Sequence, residues 1–315
     1  MEEQEETSTT APEVYAEDVV EISRRMKEIA PTILIGANAL HTEDWTTILN
    51  RAAEHIDFLV VHPCPFYGWE GYDRYLRQDP DTLYCVRWAR DAIRANPVGT
   101  RRQLKIMVTE FAAGAFNEWD RSGADVARGI MTVDMLGQLL QSQDCHMSLF
   151  WNTINIYEGD GSVFNALMRD NTLSAVGRAL IVWGRFLEDE MVETSISSEG
   201  RYVEDAGVNE AGDMLRSSTV RCYASKTDGK ALDVILINKD LKDTPVRLIL
   251  RSVTSADKPS EKWVYRGTSP TDKNPAWGKV SSVQASGDTL ATTLDPVSVT
   301  VLSFPLRPNY GLQED

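Results

Sequence analysis

Residues 104–111 read Leu-Lys-Ile-Met-Val-Thr-Glu-Phe, a short apolar run that carries a carboxylate near its end. A run of this length is typical of a strand buried in a parallel sheet. Hydrophobic residues at helical spacing predict a helix on each side of it, over residues 81–96 and 124–142. Helices that alternate with buried strands are typical of a parallel sheet covered by helices. This stretch therefore places the first part of the chain in the α/β class.

The same alternation extends outward in both directions. The spacing predicts further strands at 32–39, 56–62 and 147–151, and further helices at 15–29, 45–52 and 173–187. About four strands and five helices result, whereas a complete (β/α)8 barrel has eight of each.

Near Asp189 the helical periodicity stops, and short β-rich runs separated by turn residues take over. Strands at this spacing indicate an antiparallel sandwich. The predicted fold class is thus an α/β partial TIM barrel of about four strand–helix units, followed by an all-β antiparallel sandwich. The predicted domains are an acidic disordered tail, the partial barrel and the sandwich, over residues 1–12, 13–188 and 189–315.

Composition limits the partners. The chain of 315 residues has a formal net charge of −15, which disfavours nucleic acids and anionic membranes as partners because both would repel it. No apolar stretch approaches the ~20 residues of a membrane span. The N-terminal residues lack the basic and apolar regions of a secretory signal, and the compartment stays open. The four cysteines form no CxxC pair, so neither a zinc site nor a disulfide framework is predicted.

Function in a parallel barrel collects at the carboxyl ends of the strands. Glu110 ends the strand at 104–111, and a rigid strand end suits a nucleophilic carboxylate because its position must be fixed closely. The alternative is a strand-end Glu that pairs with a cation or is solvated. The other polar or aromatic residues at strand ends are Asn38, His62, Trp151 and Asn152.

Two of these residues have specific predicted roles. His62, with Tyr67 in the aromatic loop that follows, is predicted to position the nucleophile or to bind sugar hydroxyls. The alternative is a histidine that donates to a backbone carbonyl. Trp151 is predicted to be a platform for a sugar ring, and the alternative is a core residue.

Together these strand ends resemble the clan of retaining glycoside hydrolases that includes the α-L-arabinofuranosidases. The resemblance lies in Met107-Val-Thr-Glu110-Phe111, in His62 followed by Tyr67, and in Trp151, with Trp263-Val-Tyr-Arg-Gly and Pro296–Leu302 resembling late sandwich strands. It implies that residues 13–307 are the C-terminal half of the barrel plus the sandwich, and that Glu110 is the nucleophile. It also implies an oligo- or polysaccharide substrate of plant or algal origin, and no metal or organic cofactor.

The sequence departs from the family at several points. Phe-Ala-Ala-Gly follows Glu110, where the arabinofuranosidases commonly have Trp-Asn. The family's acid/base Asn-Glu is expected upstream of this chain, since Asn117-Glu118 and Asn209-Glu210 fall in the wrong places. A half-barrel has two open sheet edges, so the chain is expected to form a homodimer or to pair with a separate N-terminal half. Two other functions stay open: a non-catalytic carbohydrate-binding fragment, and a barrel lyase or isomerase with Glu110 as base.

Overall fold

The computed structural model describes residues 11–39, 42–65, 71–113, 123–154, 164–197, 202–203, 217–251, 260–283 and 288–306. The chain divides into two compact units. Unit 1 comprises Met1–Pro63, Thr82–Phe111 and Ser142–Phe150, and unit 2 comprises Cys64–Asp81, Ala112–Gln141 and Trp151–Asp315. Within the described ranges, no helix is long and apolar enough to cross a membrane.

In chain order, the helices are α1 (Pro12–Ile29), α2 (Thr42–Ala52), α3 (Tyr72–Arg77), α4 (Tyr84–Ala95), α5 (Pro97–Arg102), α6 (Val126–Gln141) and α7 (Ala175–Phe186). The strands are β1 (Gly36–Asn38), β2 (Phe58–Val61), β3 (Lys105–Phe111), β4 (Cys145–Phe150), β5 (Glu190–Val192), β6 (Tyr202–Val203), β7 (Ser217–Ser218), β8 (Val220–Thr227), β9 (Ala231–Asn238), β10 (Thr244–Ile249), β11 (Ser260–Arg266), β12 (Ala276–Val283), β13 (Thr289–Leu294) and β14 (Ser298–Pro305).

Unit 1 contains a four-stranded parallel sheet in the order β1-β2-β3-β4. This confirms the parallel sheet with helices that the sequence predicts. Helix α4 packs on β2 and β3, and α2 packs on α1 and α4. Alternate residues of β2 and β3 are buried: Leu59, Val61, Ile106 and Val108. One prediction was too long, since β1 covers only three residues of 32–39. The chain there first makes a turn in which the Ile33 amide donates to the Ala30 carbonyl.

Asp57, just before β2, joins α1, α5 and the segment before β1 in unit 1. Its carboxylate accepts hydrogen bonds from Lys27 at 2.9 Å, from the Ile35 amide at 2.9 Å and from Arg102 at 3.0 Å. Burial alone would raise the pKa of Asp57, but the Ile35 amide and the Lys27 ammonium more than offset it and lower the pKa below its ordinary value of 3.8. The ionised carboxylate therefore stabilises the folded state.

Replacing Asp57 by Asn is expected to lower the free energy of unfolding by about 1–3 kcal/mol at pH 7. Because the folded pKa is depressed, this contribution is present above the unfolded value and is lost as pH falls through the folded pKa. Urea denaturation at pH 7 and at successively lower pH values measures it. The two proteins should converge in acid, and Asp91→Asn, at a 63% exposed side chain, should match the unchanged protein. A constant difference at every pH would contradict this assignment.

Unit 2 is a set of layers around a six-stranded antiparallel sheet with the order β12-β11-β14-β9-β8-β5. Helices α6 and α7 pack on each other and on β14. The Tyr265 hydroxyl donates to the Ala175 carbonyl at 3.0 Å, and the Trp183 indole donates to the Val133 carbonyl at 3.0 Å. The helices are therefore tied both to the sheet and to one another.

The other face of this sheet forms the sandwich core. Its buried apolar residues come from β8, β9 and β14 and from the separate antiparallel pair β10–β13, with Leu250 directly after β10: Ala224, Leu232, Val234, Leu236, Leu250, Leu290, Leu294, Leu302 and Phe304. The antiparallel sandwich that the sequence predicts is present. Helix α7 ends at Phe186 and β5 begins at Glu190, so the described secondary structure changes from helix to strand near Asp189. The domain boundary between residues 188 and 189 stays a prediction, and unit 2 also takes in α6 and α7.

Two glycines of α7 give a matched test of packing in unit 2. A Cβ on Gly177 would clash with the Ala166 carbonyl, whose carbon would lie at 2.9 Å, whereas a Cβ on Gly184 would meet nothing within 4 Å. Gly177→Ala is expected to destabilise unit 2 by about 1–3 kcal/mol, because backbone must move. Gly184→Ala is expected to stabilise it by up to about 1 kcal/mol through helix propensity. Thermal unfolding of both variants checks this, and equal shifts would contradict the packing of α7.

Candidate active site

The end of β3 contains a β-bulge at Thr109 and Glu110. Val108 pairs with Ser148, and Phe111 pairs with Phe150, so β3 advances three residues where β4 advances two. The extra residue shifts the alternation of the strand. Thr109 and Glu110 are consequently both half-buried, while Val108 before them and Phe111 after them are buried. The bulge therefore keeps the Glu110 carboxylate out of the core.

Phe111 fixes the chain directly after the bulge. Its ring is 1% exposed and meets the Phe150 ring edge-on, with the centroids 5.8 Å apart. Because Phe111 is buried and packs against the neighbouring strand β4, it limits how far the bulge can move, which is what a positioned carboxylate needs.

His62, the residue after β2, lies beside this bulge. Its Nε2 is 2.8 Å from the Thr109 hydroxyl, and its Nδ1 is 3.8 Å from a Glu110 carboxylate oxygen. The side chains of His62 and Glu110 are 31% and 20% exposed, so both are sheltered yet open to a ligand. The structure thus brings together two of the site residues predicted from sequence. The site therefore offers a carboxylate with an imidazole ring beside it.

Asn38 is the last residue of β1, and it pairs with Val60 of β2. Val60 lies two residues before His62 in the chain. Its backbone amide donates to the Tyr15 hydroxyl at 3.1 Å, which ties the strand end to α1. Asn38 therefore lies at the same edge of the parallel sheet as His62. Tyr67, the other residue predicted to act with His62, lies outside the described residues.

Trp151 and Asn152 follow β4 and belong to unit 2. Trp151 is 38% exposed, which does not fit the alternative of a core residue. The backbone amide of Asn152 donates to the Phe164 carbonyl at 2.6 Å, and its backbone carbonyl accepts from the Ala166 amide at 3.1 Å. The buried side-chain oxygen of Asn152 has no hydrogen-bond partner among the residues that the structure describes. Their predicted sugar contacts stay predictions.

Several solved structures superpose on most of this chain. An α-L-arabinofuranosidase from Thermotoga maritima, solved with arabinose, superposes with a TM-score of 0.73 at 18% identity, over 94% of this chain and 63% of that chain. A family 51 α-L-arabinofuranosidase from Thermotoga petrophila gives 0.74 at 17% identity, over 93% and 62%. The chain has an arabinofuranosidase-like glycoside hydrolase fold. A family 44 xyloglucanase from Paenibacillus polymyxa also matches, with a TM-score of 0.60 at 12% identity over 94% and 62%.

The arabinofuranosidase-like fold is detected from structure and not from sequence. No protein-family profile and no curated protein matches the sequence. The chain spans 62–63% of the length of the three solved structures named above. At 12–18% identity, the similarity establishes the fold and leaves the activity to be argued from the site.

Thr109 is a site residue that the sequence did not indicate. In the sequence it is only part of the strand motif, but in the structure the Thr109 hydroxyl contacts the His62 ring. The sequence does contain a signal for the bulge. Ile106 and Val108 are apolar at alternate positions, but position 110 is a Glu, and the apolar residue that follows is Phe111. This shift by one position is what an extra residue in a strand produces.

Proposed function

We propose that this chain carries the nucleophile of a retaining glycoside hydrolase that acts on O-glycosidic bonds of a plant or algal polysaccharide containing arabinose or galactose. Glu110 is the nucleophile, and His62 positions it. Asn38, Tyr67, Trp151 and Asn152 bind the substrate, with Trp151 as the sugar platform. The parallel sheet of unit 1 is part of a (β/α)8 barrel in this proposal, and no metal or organic cofactor takes part.

The observation that carries the proposal is the Glu110 carboxylate on the bulge at the carboxyl end of β3, with the His62 ring 3.8 Å away. In barrel enzymes the reacting groups come from this end of the strands. The arabinofuranosidase-like fold supports the choice of glycoside hydrolysis over other reactions of a strand-end carboxylate.

The chemistry assigned to Glu110 is two displacements. Its carboxylate oxygen forms a bond to the anomeric carbon, the bond from that carbon to the leaving oxygen breaks, and an acid protonates the departing oxygen. Water then attacks the anomeric carbon and releases Glu110, so the configuration is retained. The proposal assigns the acid/base role to no residue of this chain, and expects the acid/base Glu upstream.

Aryl glycosides with a good leaving group test this proposal, because such substrates need little help from an acid. The protein should hydrolyse 4-nitrophenyl α-L-arabinofuranoside or a galactoside analogue. Proton NMR of the first product formed should show the anomeric configuration of the substrate. An inverted product would contradict a nucleophilic Glu110. Binding of arabinan or galactan by calorimetry, together with no turnover of any aryl glycoside, would support a carbohydrate-binding role instead.

A further inference from the structure

We propose that Asp233 is a pH-sensitive switch in the six-stranded sheet of unit 2, neutral in mildly acidic solution and ionised, with a loss of stability, near neutral pH. All of the residues concerned belong to unit 2, and the switch does not depend on the proposed function. With respect to this carboxyl group, unit 2 should therefore be more stable in mild acid than at neutral pH.

Asp233 lies inside the sheet, on β9 between β8 and β14. It pairs with Ser225 of β8 and with Ser303 of β14. Its neighbours along the strand, Leu232 and Val234, point into the sandwich core, so Asp233 points to the opposite face, on which α6 and α7 pack. Only 2% of the residue is exposed to solvent. Water can therefore do little to stabilise a negative charge there.

The protein supplies few hydrogen-bond donors in place of water. Among the described residues, the Oδ1 atom of Asp233 has no hydrogen-bond partner. The Ser225 hydroxyl is already used, because it donates to the Phe186 carbonyl at 3.2 Å and accepts from the Glu188 amide at 2.9 Å. A buried oxygen without a donor costs more free energy when its group is charged than when it is neutral. The surroundings of Asp233 therefore disfavour the ionised form.

The charged side chains around Asp233 also oppose its ionisation. Two of them are carboxylates, Glu188 after α7 and Glu261 of β11. The cation, Lys230 in the turn between β8 and β9, forms its ion pair with Glu188 at 3.1 Å and offsets the carboxylates only in part. Burial, which is the largest effect, and the two carboxylates raise the pKa of Asp233 from 3.8 to about 6, although the Ser303 hydroxyl and Lys230 lower it.

A raised pKa in the folded protein decides the sign of the effect on stability. The unfolded chain releases the Asp233 proton above its ordinary pKa of 3.8, whereas the folded protein retains the proton until about pH 6. The stabilisation by the bound proton is fully present below the unfolded pKa and is lost as pH rises through the folded pKa. Between pH 5 and pH 7.5, this loss should raise the unfolding equilibrium constant about tenfold.

Carbon NMR of protein labelled with ¹³C at the aspartate carboxyl groups tests the titration directly. A signal with a midpoint near pH 6 should be present in the unchanged protein and absent from Asp233→Asn. Asp228→Asn, at a 69% exposed side chain, should retain that signal. If the signal lost in Asp233→Asn titrates near pH 4, as an ordinary aspartate does, the proposal is overturned.

Urea denaturation at pH 5 and at pH 7.5 tests the consequence for stability. Because Asn cannot ionise, the unfolding constant of the unchanged protein divided by that of Asp233→Asn should be about tenfold larger at pH 7.5 than at pH 5. Comparing two pH values cancels any effect of the substitution that does not depend on pH, and Asp233→Ser gives the same comparison if the amide prevents folding. The corresponding ratio for Asp228→Asn should not change with pH. A ratio for Asp233→Asn that is independent of pH would overturn the proposal.

Discussion

Glu110→Gln should lower the rate of aryl glycoside hydrolysis by a factor on the order of 10³ or more, while the protein stays folded. The amide has nearly the shape of the carboxylate but cannot attack the anomeric carbon. The Glu110 side chain is 20% exposed and lies 3.8 Å from the nearest His62 nitrogen, so among the described residues its loss breaks no dense network. The effect should therefore appear in kcat and kcat/KM and not in the unfolding midpoint.

Glu190→Gln is the matched control for this loss of activity. Its side chain is 67% exposed and pairs only at the surface with Lys226 at 3.4 Å, so full activity is expected. Full activity of Glu110→Gln would contradict every enzymatic role that rests on this carboxylate. In Glu110→Gly, which vacates the space of the carboxylate, restoration of turnover by added azide would support the proposed role.

The second large effect is expected at Asp134, which is fully buried in α6. Its carboxylate accepts hydrogen bonds from Arg221 at 3.1 Å, from the Tyr75 hydroxyl at 3.1 Å and from the Tyr223 hydroxyl. Burial alone would lower the pKa of the Arg221 guanidinium, but Asp134 and other anionic neighbours raise it overall. One carboxylate thus ties together α3, α6 and β8.

Asp79 extends the same charge network. It accepts from Arg221 at 3.1 Å and from Lys239, which is fully buried, at 2.7 Å. Burial lowers the pKa of Lys239, and Asp79 offsets part of that effect. The network consists of two acidic side chains, Asp79 and Asp134, and two basic ones, Arg221 and Lys239, so it is formally neutral. Removal of one member therefore leaves an uncompensated charge.

Asp134→Asn is expected to lower the free energy of unfolding of unit 2 by about 3 kcal/mol, since it leaves Arg221 with one carboxylate fewer in a sheltered site. Urea denaturation followed by tryptophan fluorescence measures this change, because Trp183 meets the Tyr223 ring at a centroid distance of 6.0 Å. Asp228→Asn, at a 69% exposed side chain, should change it by less than about 0.5 kcal/mol. Equal stability of both variants would contradict a structural role for the network.

The sequence predicted the elements around Glu110 well because their signal is local. The apolar run at 104–111 and the helical spacing of apolar residues at 124–142 can each be recognised within the segment itself. Strand β3 and helix α6 lie within those two ranges. The parallel order of the four strands followed from the alternation of helix and strand.

The contacts that matter at the site depend on residues far apart in the chain. The distance between His62 and Thr109 is a product of the pairing of β2 with β3, which no local pattern contains. The network of Asp79, Asp134 and Arg221 joins positions up to 142 residues apart. In the sequence alone, a single buried acid or base looks like an ordinary surface residue, because its partner on another strand is not known.

If Glu110 is the nucleophile, it should be trapped in a covalent bond to the sugar. The protein is incubated with a mechanism-based fluoroglycoside inhibitor, digested and examined by mass spectrometry. One glycosyl adduct is expected on the peptide that contains Glu110, with fragment ions that place it on Glu110, and no adduct is expected in Glu110→Gln. An adduct on another carboxylate, or no adduct in folded protein that hydrolyses the parent glycoside, would contradict it.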